Sequence, residues 1–346
     1  MSFINTKIIY PLLIILSIKK RSFAALDEQI DRSGDTVKRR LINADDSKNI
    51  SYMLAQYLFK GCKSLIMSVD NTLLAKIHSM FMVGAGKNFD TKTNRCIMSY
   101  RLIVGALTDG KVIAPIDFGF IFTKELLSEN DPVKTKLDFI KQFLAVAKKL
   151  FPDAKIKIAA DGLFASVDTL KWCLDANTPA VMRMHNNRVV TFKNKSCKIS
   201  EITCIKPRGR QIARAIKIIW HDLELYLAAE RRIDKHGMES VVYLVATYQV
   251  RPIQYVRDYK KRWPIEKLFR TSKQHLGIAE CFSTQLETQE KHIAAVLLAY
   301  AMVQLEMKKQ KLDTPEAAIR ALKHYDPQSL TQRFMRLDQI FGDVHA

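Results

Sequence analysis

Acidic residues are scarce in this chain. Across 346 residues, Asp and Glu number 35 against 55 Lys and Arg, a formal charge of +20. So large an excess favours a polyanionic partner, either nucleic acid or an acidic membrane surface. The six cysteines (62, 96, 173, 197, 204 and 281) contain no CxxC pair and no Cys/His ligand spacing. Structural zinc is thereby excluded, and the thiols read as reduced, in a cytoplasmic protein. Gly84-Ala-Gly-Lys87 lacks both the earlier glycine and the following Ser/Thr of a phosphate loop, which removes a Walker A site. Ile8–Ile18 is apolar, but its 11 residues are too few to span a bilayer. Lys19, Lys20 and Arg21 follow it directly with no clear small-residue cleavage site, so it reads as a buried helix interrupted at Pro11, in preference to a signal peptide.

What is present suits a globular protein. The chain is 48% hydrophobic and 26% charged, and long enough to bury a substantial core as one large domain with an insertion or as two domains. Residues 27–60 read as mostly helical, with Asn49 or Ser51 capping Tyr52–Phe59. Ser64–Asp70 is then a buried apolar strand closed by an acid, which either carries chemistry at a sheet edge or simply opens a turn or caps a helix. Apolar runs over 96–107 and 111–122 flank Asp109-Gly110, a strong hairpin signal. Asp131-Pro132 precedes a helix over Lys134–Leu150, whose apolar residues recur at helical spacing. Ala154–Asp161 repeats the pattern of a strand ending in an acid, and a helix over 163–176 and a strand over Ala180–Arg183 follow. Strand, hairpin, helix, strand, helix, strand is the order of an α/β, RNase H-like core, a mixed sheet with flanking helices.

From Arg183 to Lys217 the chain carries ten Lys or Arg against the single acid Glu201, with short β-type runs between turn residues. This predicts a β-rich insertion whose basic loops, with Lys206, Arg208, Arg210 and Arg214, meet phosphates. Ser240–Thr247 resumes a core strand, and His292 begins a strongly apolar helix running to Lys311, with His292 at its edge. The tail from Thr314 reads as short helices with basic faces.

Tyr259–Lys273 organises the rest. Tyr259, Arg262, Glu266 and Lys273 stand at offsets of 0, 3, 7 and 14 residues. At 100° per residue these fall within about 60° of one another on a helix. Pro264 either kinks that helix or starts a new one, which would leave Glu266 in its first turn.

That spacing resembles the Y-(2)-R-(3)-E-(6)-K signature of DDE transposases of the bacterial insertion-sequence-four group. Asp70-Asn71-Thr72 is similar to the family's first catalytic aspartate, although many relatives carry a second Asp where this chain has Asn71. Asp161, followed by Gly162-Leu-Phe-Ala, is similar to the second. The resemblance spans about residues 64–310. It implies Asp70, Asp161 and Glu266 as the catalytic residues and ligands of two Mg²⁺ ions, with Mn²⁺ as a substitute. It further implies that Tyr259, Arg262 and Lys273 contact the DNA end. The partners are then double-stranded DNA, as terminal inverted repeats and target, and a second copy in the paired-end complex, in the bacterial cytoplasm at the nucleoid and without membrane. The alternative is a decayed or domesticated transposase acting as a DNA-binding repressor.

The domains expected are a helical N-terminal region over 1–63, a first part of the core over 64–185 and a basic β-rich insertion over 186–240. A second part with the Glu266 helix over 241–311 and a helical tail over 312–346 complete the chain. Family members place end recognition in a helical domain ahead of the first catalytic strand. Here only 63 residues precede Ser64. The region therefore reads as a reduced version that packs on the core.

Overall fold

The computed structural model describes residues 6–17, 47–76, 82–122, 134–208, 211–234 and 236–325, together with Ser329 and Phe334. Residues 27–46, Asp131-Pro132, Arg210 and most of the tail beyond 325 lie outside the described residues.

The central strand is β1 (Ser64–Ala75), in which Leu65, Ile66, Met67 and Val69 are buried. A largely apolar run, interrupted by the buried Ser68, suits a strand covered on both faces. β1 pairs antiparallel with β3 (Arg95–Thr108) and parallel with β5 (Lys155–Ala160). β3 also holds β2 (Gly86–Asp90) and β4 (Ile113–Phe120). The β3–β4 hairpin turns at Gly110, whose φ of 104° lies in the region that glycine adopts most readily. Beyond β5 comes β6 (Ala180–Met184), in parallel. Mixed pairing with helices on both faces makes this an RNase H-like core, in the element order that the sequence predicts.

The strands of residues 186–240 join the same sheet. β7 (Val189–Phe192), β8 (Lys195–Lys198), β9 (Ala213–Trp220) and β10 (Leu223–Ile233) extend it through β11 (Glu239–Ala246), which pairs with β6. The two-residue turns Lys193-Asn194 and His221-Asp222 hold positive φ at both positions. That geometry follows the natural twist of paired strands.

Side-chain alternation sorts the layers. Leu65, Met67 and Val69 face the larger core with Ile158, Ala160 and Met182. Here lie α3 (Lys136–Leu150), which begins in a Thr135–Asp138 capping box, α4 (Val167–Asp175) and α7 (Leu286–Lys309). α1 (Thr6–Leu16), α2 (Ser47–Leu58) and α8 (Pro315–Lys323) pack against α7. Ile66, Ala159, Val181 and Leu244 face the other way, onto Tyr255, Val256 and Tyr259 of α5 (Pro252–Lys260). The main chain then turns into α6 (Pro264–Gln274), which meets β1, β4 and α7.

Several local expectations change. The helix of the N-terminal apolar run passes through Pro11 without a break, because burial of Leu12–Ile15 outweighs the one internal hydrogen bond a proline removes. Asn49 and Ser51 lie inside α2. His292 is fully buried within α7, not at its edge, bonded to the Tyr10 hydroxyl at 2.7 Å and to the Gly277 carbonyl at 2.9 Å. β1 does not end at Asp70 but continues to Ala75, since β3 keeps pairing with it there.

Just past β1, the buried Lys76 donates to the carbonyls of Ala279 and Cys281 at 2.8 and 2.7 Å, tying the segment after α6 to the sheet. Burial lowers its pKa from 10.5 to about 8. The unfolded chain therefore binds more protons than the folded one between those values, so stability rises with pH there. We expect wild type to gain up to about 3 kcal/mol relative to Lys76→Met between pH ~8 and ~10.5, measured by urea denaturation. Parallel curves for the two proteins would mean that the ammonium is not desolvated.

Candidate active site

Register brings the first two acids together. Val69 of β1 pairs with Ala160, the last residue of β5, so Asp70 and Asp161 are the next positions on adjacent strands. Both continue the alternation of Ile66 and Ala159, which point at α5. Neighbouring strands lie about 4.8 Å apart. Asp161 precedes the short 3₁₀ turn Gly162–Phe164, yet its side chain makes no capping hydrogen bond. The carboxylate is left for other use. A Cβ on Gly162 would lie 3.1 Å from the His185 ring, so a small residue is needed where the chain turns away.

The third acid comes from the break between α5 and α6. Pro264 starts α6 with Glu266 in its first turn. Residues between the helices are held by short bonds, Arg262 N–H to the Tyr259 carbonyl and Ile265 N–H to the Arg262 carbonyl, each 3.0 Å. Gly110 of the β3–β4 hairpin abuts the Lys261 stem, and φ there already disfavours any side chain.

Arg262 joins the acids. It is 5% exposed; its Nη1 donates to Asp70 Oδ2 at 2.8 Å and its Nη2 to Glu266 Oε1. The guanidinium also lies over the Tyr259 ring, 5.5 Å from its centroid. Asp70 Oδ1 accepts from the Asn71 N–H at 2.8 Å. Burial pushes the Asp70 carboxyl up to about 6; Arg262 and the Asn71 N–H oppose that rise, while Asp161 and Glu266 add to it. Burial also works against the Arg262 charge, but Tyr259, Asp70, Glu266 and Asp161 outweigh it and hold the guanidinium above its ordinary value. The Tyr259 phenol is raised by burial, with Asp161 adding to the rise and Arg262 and Arg183 opposing it.

Lys273 stands two turns beyond Glu266, about 10 Å along the helix axis. Burial lowers its pKa, Lys92 of the β2–β3 loop lowers it further, and Asp90 opposes. The basic residues of the insertion stand apart. Lys206 and Arg208 are exposed, and Arg214 lies on β9, five strands from β1, or about 24 Å at the usual spacing.

Residues 137–302 match the transposase DDE domain family. That match supports a DDE transposase and, in general terms, a transposase function. It covers Asp161, Tyr259, Arg262, Glu266 and Lys273, while Asp70 lies ahead of it. No curated protein matches the chain. DDE transposase domains generally depend on a divalent metal. The donor chemistry suits one, since three carboxylates offer hard oxygens whose mutual repulsion a cation relieves. Among the described residues, however, no three acids, histidines or cysteines are grouped to hold a metal ion, and Arg262 bridges two of the acids. No described helix is long and apolar enough to cross a membrane.

The residues that sequence reading missed are those that hold α5 in place. Asp258 is buried, pairs with Lys157 at 2.7 Å, and accepts from Tyr248 and Gln254 at 2.7 Å each. Glu230 of β10, also buried, pairs with Lys260 at 2.7 Å and with Arg232 at 2.8 Å. Pro252 at the start of α5 was the available signal for this helix, as proline favours the first turn. We expect Asp258→Ala to cost about 2–3 kcal/mol, measured by urea denaturation, because Lys157, Tyr248 and Gln254 lose a shared buried acceptor. A loss below about 0.5 kcal/mol would reduce the cluster to an ordinary surface pair.

Proposed function

We propose that the protein is a transposase of the insertion-sequence-four group that cuts DNA at the ends of a mobile element and joins those ends to a target. The observation that supports this reading is the register that sets Asp70 beside Asp161 where β5 ends next to β1, with Arg262 joining Asp70 to Glu266. In this reading the three carboxylates hold two Mg²⁺ ions, or Mn²⁺ in their place. When bound, such ions polarise a water or 3′-hydroxyl and stabilise the departing oxygen of a phosphodiester. The chain's own residues do the rest. Asp70 is fixed mid-strand and Asp161 at a strand end, so their separation is set by the sheet. Glu266 approaches from a helix start.

Tyr259, Arg262 and Lys273 face the terminal phosphates or bases of the element end, and a guanidinium fits a phosphate by two parallel hydrogen bonds. Lys206, Arg208, Arg210 and Arg214 contact duplex phosphates. Two copies bring two ends together in a paired complex, in the bacterial cytoplasm on the nucleoid.

The direct test is incubation with the terminal inverted repeats flanking its gene and Mg²⁺, followed by mapping of nicks. Asp70→Ala, Asp161→Ala and Glu266→Ala should each lower strand cleavage by roughly a thousandfold or more while duplex binding changes little. Full cleavage by any one variant removes that residue from the site. Wild-type protein that binds the repeats without nicking them points to the repressor instead. Neutralising Lys206, Arg208, Arg210 and Arg214 together should weaken binding to every duplex sequence. The slope of log affinity against log salt should fall by up to about 0.9 for each phosphate no longer neutralised. An unchanged slope would make these residues plain solvated surface.

A further inference from the structure

Arg262 occupies one oxygen on each of two acids that a metal would use. Its two terminal nitrogens reach Asp70 Oδ2 and Glu266 Oε1, and the other Asp70 oxygen already accepts from the Asn71 N–H. A divalent cation such as Mg²⁺ binds carboxylate oxygen at about 2.1 Å, so it competes with a guanidinium bonded to the same atoms. The fixed positive charge repels it as well.

Yet this bridge is incomplete as a permanent structural ion pair. The Arg262 Nε makes no hydrogen bond to either acid, so the acids leave part of the guanidinium unused. Nor does Arg262 sit inside a regular helix. It lies in the turn between α5 and α6, whose bonds are of the short i to i−3 type, so its side chain projects from a turn between two helices. A phosphate offers what the carboxylates offer, two oxygens spaced for a fork, with negative charge.

We propose that Arg262 is the resting counter-ion of this site, holding Asp70 and Glu266 closed to divalent metal until a DNA phosphate draws it away. DNA binding and metal binding are then coupled, and the coupling is reciprocal. The inference rests on the metal-dependent reading above, and the experiment separates the two.

The experiment titrates Mn²⁺ into the full chain, following the free-ion signal by electron paramagnetic resonance. Wild type, Arg262→Gln and Arg262→Lys are compared, each with and without a duplex carrying the flanking terminal repeat, against a blank of DNA alone. Without DNA, Arg262→Gln should bind Mn²⁺ roughly 5–150-fold more tightly than wild type, the usual span of coupling between two sites. DNA should tighten Mn²⁺ binding to wild type and do little for Arg262→Gln. Circular dichroism checks that the fold is kept. If Arg262→Gln fails to fold, Arg262→Lys decides, because an ammonium on a flexible stem lacks the rigid planar fork that holds both acids, so this variant should also bind Mn²⁺ more tightly than wild type. Equal Mn²⁺ affinity in wild type and the folded variant overturns the counter-ion role and leaves the metal reading standing. Mn²⁺ binding by none of the proteins overturns both.

Discussion

The parallel pairing of β1 with β5 is the constraint on which the candidate site depends. It places Asp70 beside Asp161 because β5 stops at Ala160 while β1 continues under the hold of β3. Slipping that register by one residue would turn Asp70 and Asp161 to opposite faces. Asp70 is therefore a mid-strand residue with one edge open, which is more rigid than a residue at a fraying strand end. The apolar run Leu65–Val69 fixes the register, since its odd and even members serve two different helical layers.

Charge is the second theme. Three buried or half-buried acids cannot stay together cheaply, and the protein answers with arginine and lysine drawn from a chain rich in both. The same solution recurs nearby. Asp258 takes Lys157 across from β5, and Glu230 takes Lys260 and Arg232. These pairs bind α5 to the sheet and so set where the α5–α6 turn lies. Removing one partner of such a pair costs more than the pair itself contributes, because the other charge stays buried.

The basic insertion and the acid cluster share one sheet, not two independent layers. β11 pairs with β6, so the strands that carry Arg214 and its neighbours continue the plane that begins at β1. The spacing between the acids and the basic edge is thereby fixed by backbone hydrogen bonds, with no hinge in the sheet between them.

The sequence by itself determined the core elements in order, the Asp109-Gly110 hairpin and the acids closing two apolar runs, and it marked Pro264 as a point where a helix kinks or restarts. Those features are local: periodicity, turn residues and proline write them into neighbouring positions. It also supplied the Tyr259, Arg262, Glu266 and Lys273 spacing, though the helix geometry that puts them on one face is interrupted before Pro264. What the tertiary structure alone decided was which charges meet. Nothing in the spacing of Arg262 says that it pairs with Asp70, 192 residues away in sequence. Likewise, Glu230 and Asp258 read as ordinary charged residues until packing buries them. Burial and long-range pairing depend on how strands and helices assemble in space, and a single sequence carries no local mark of either.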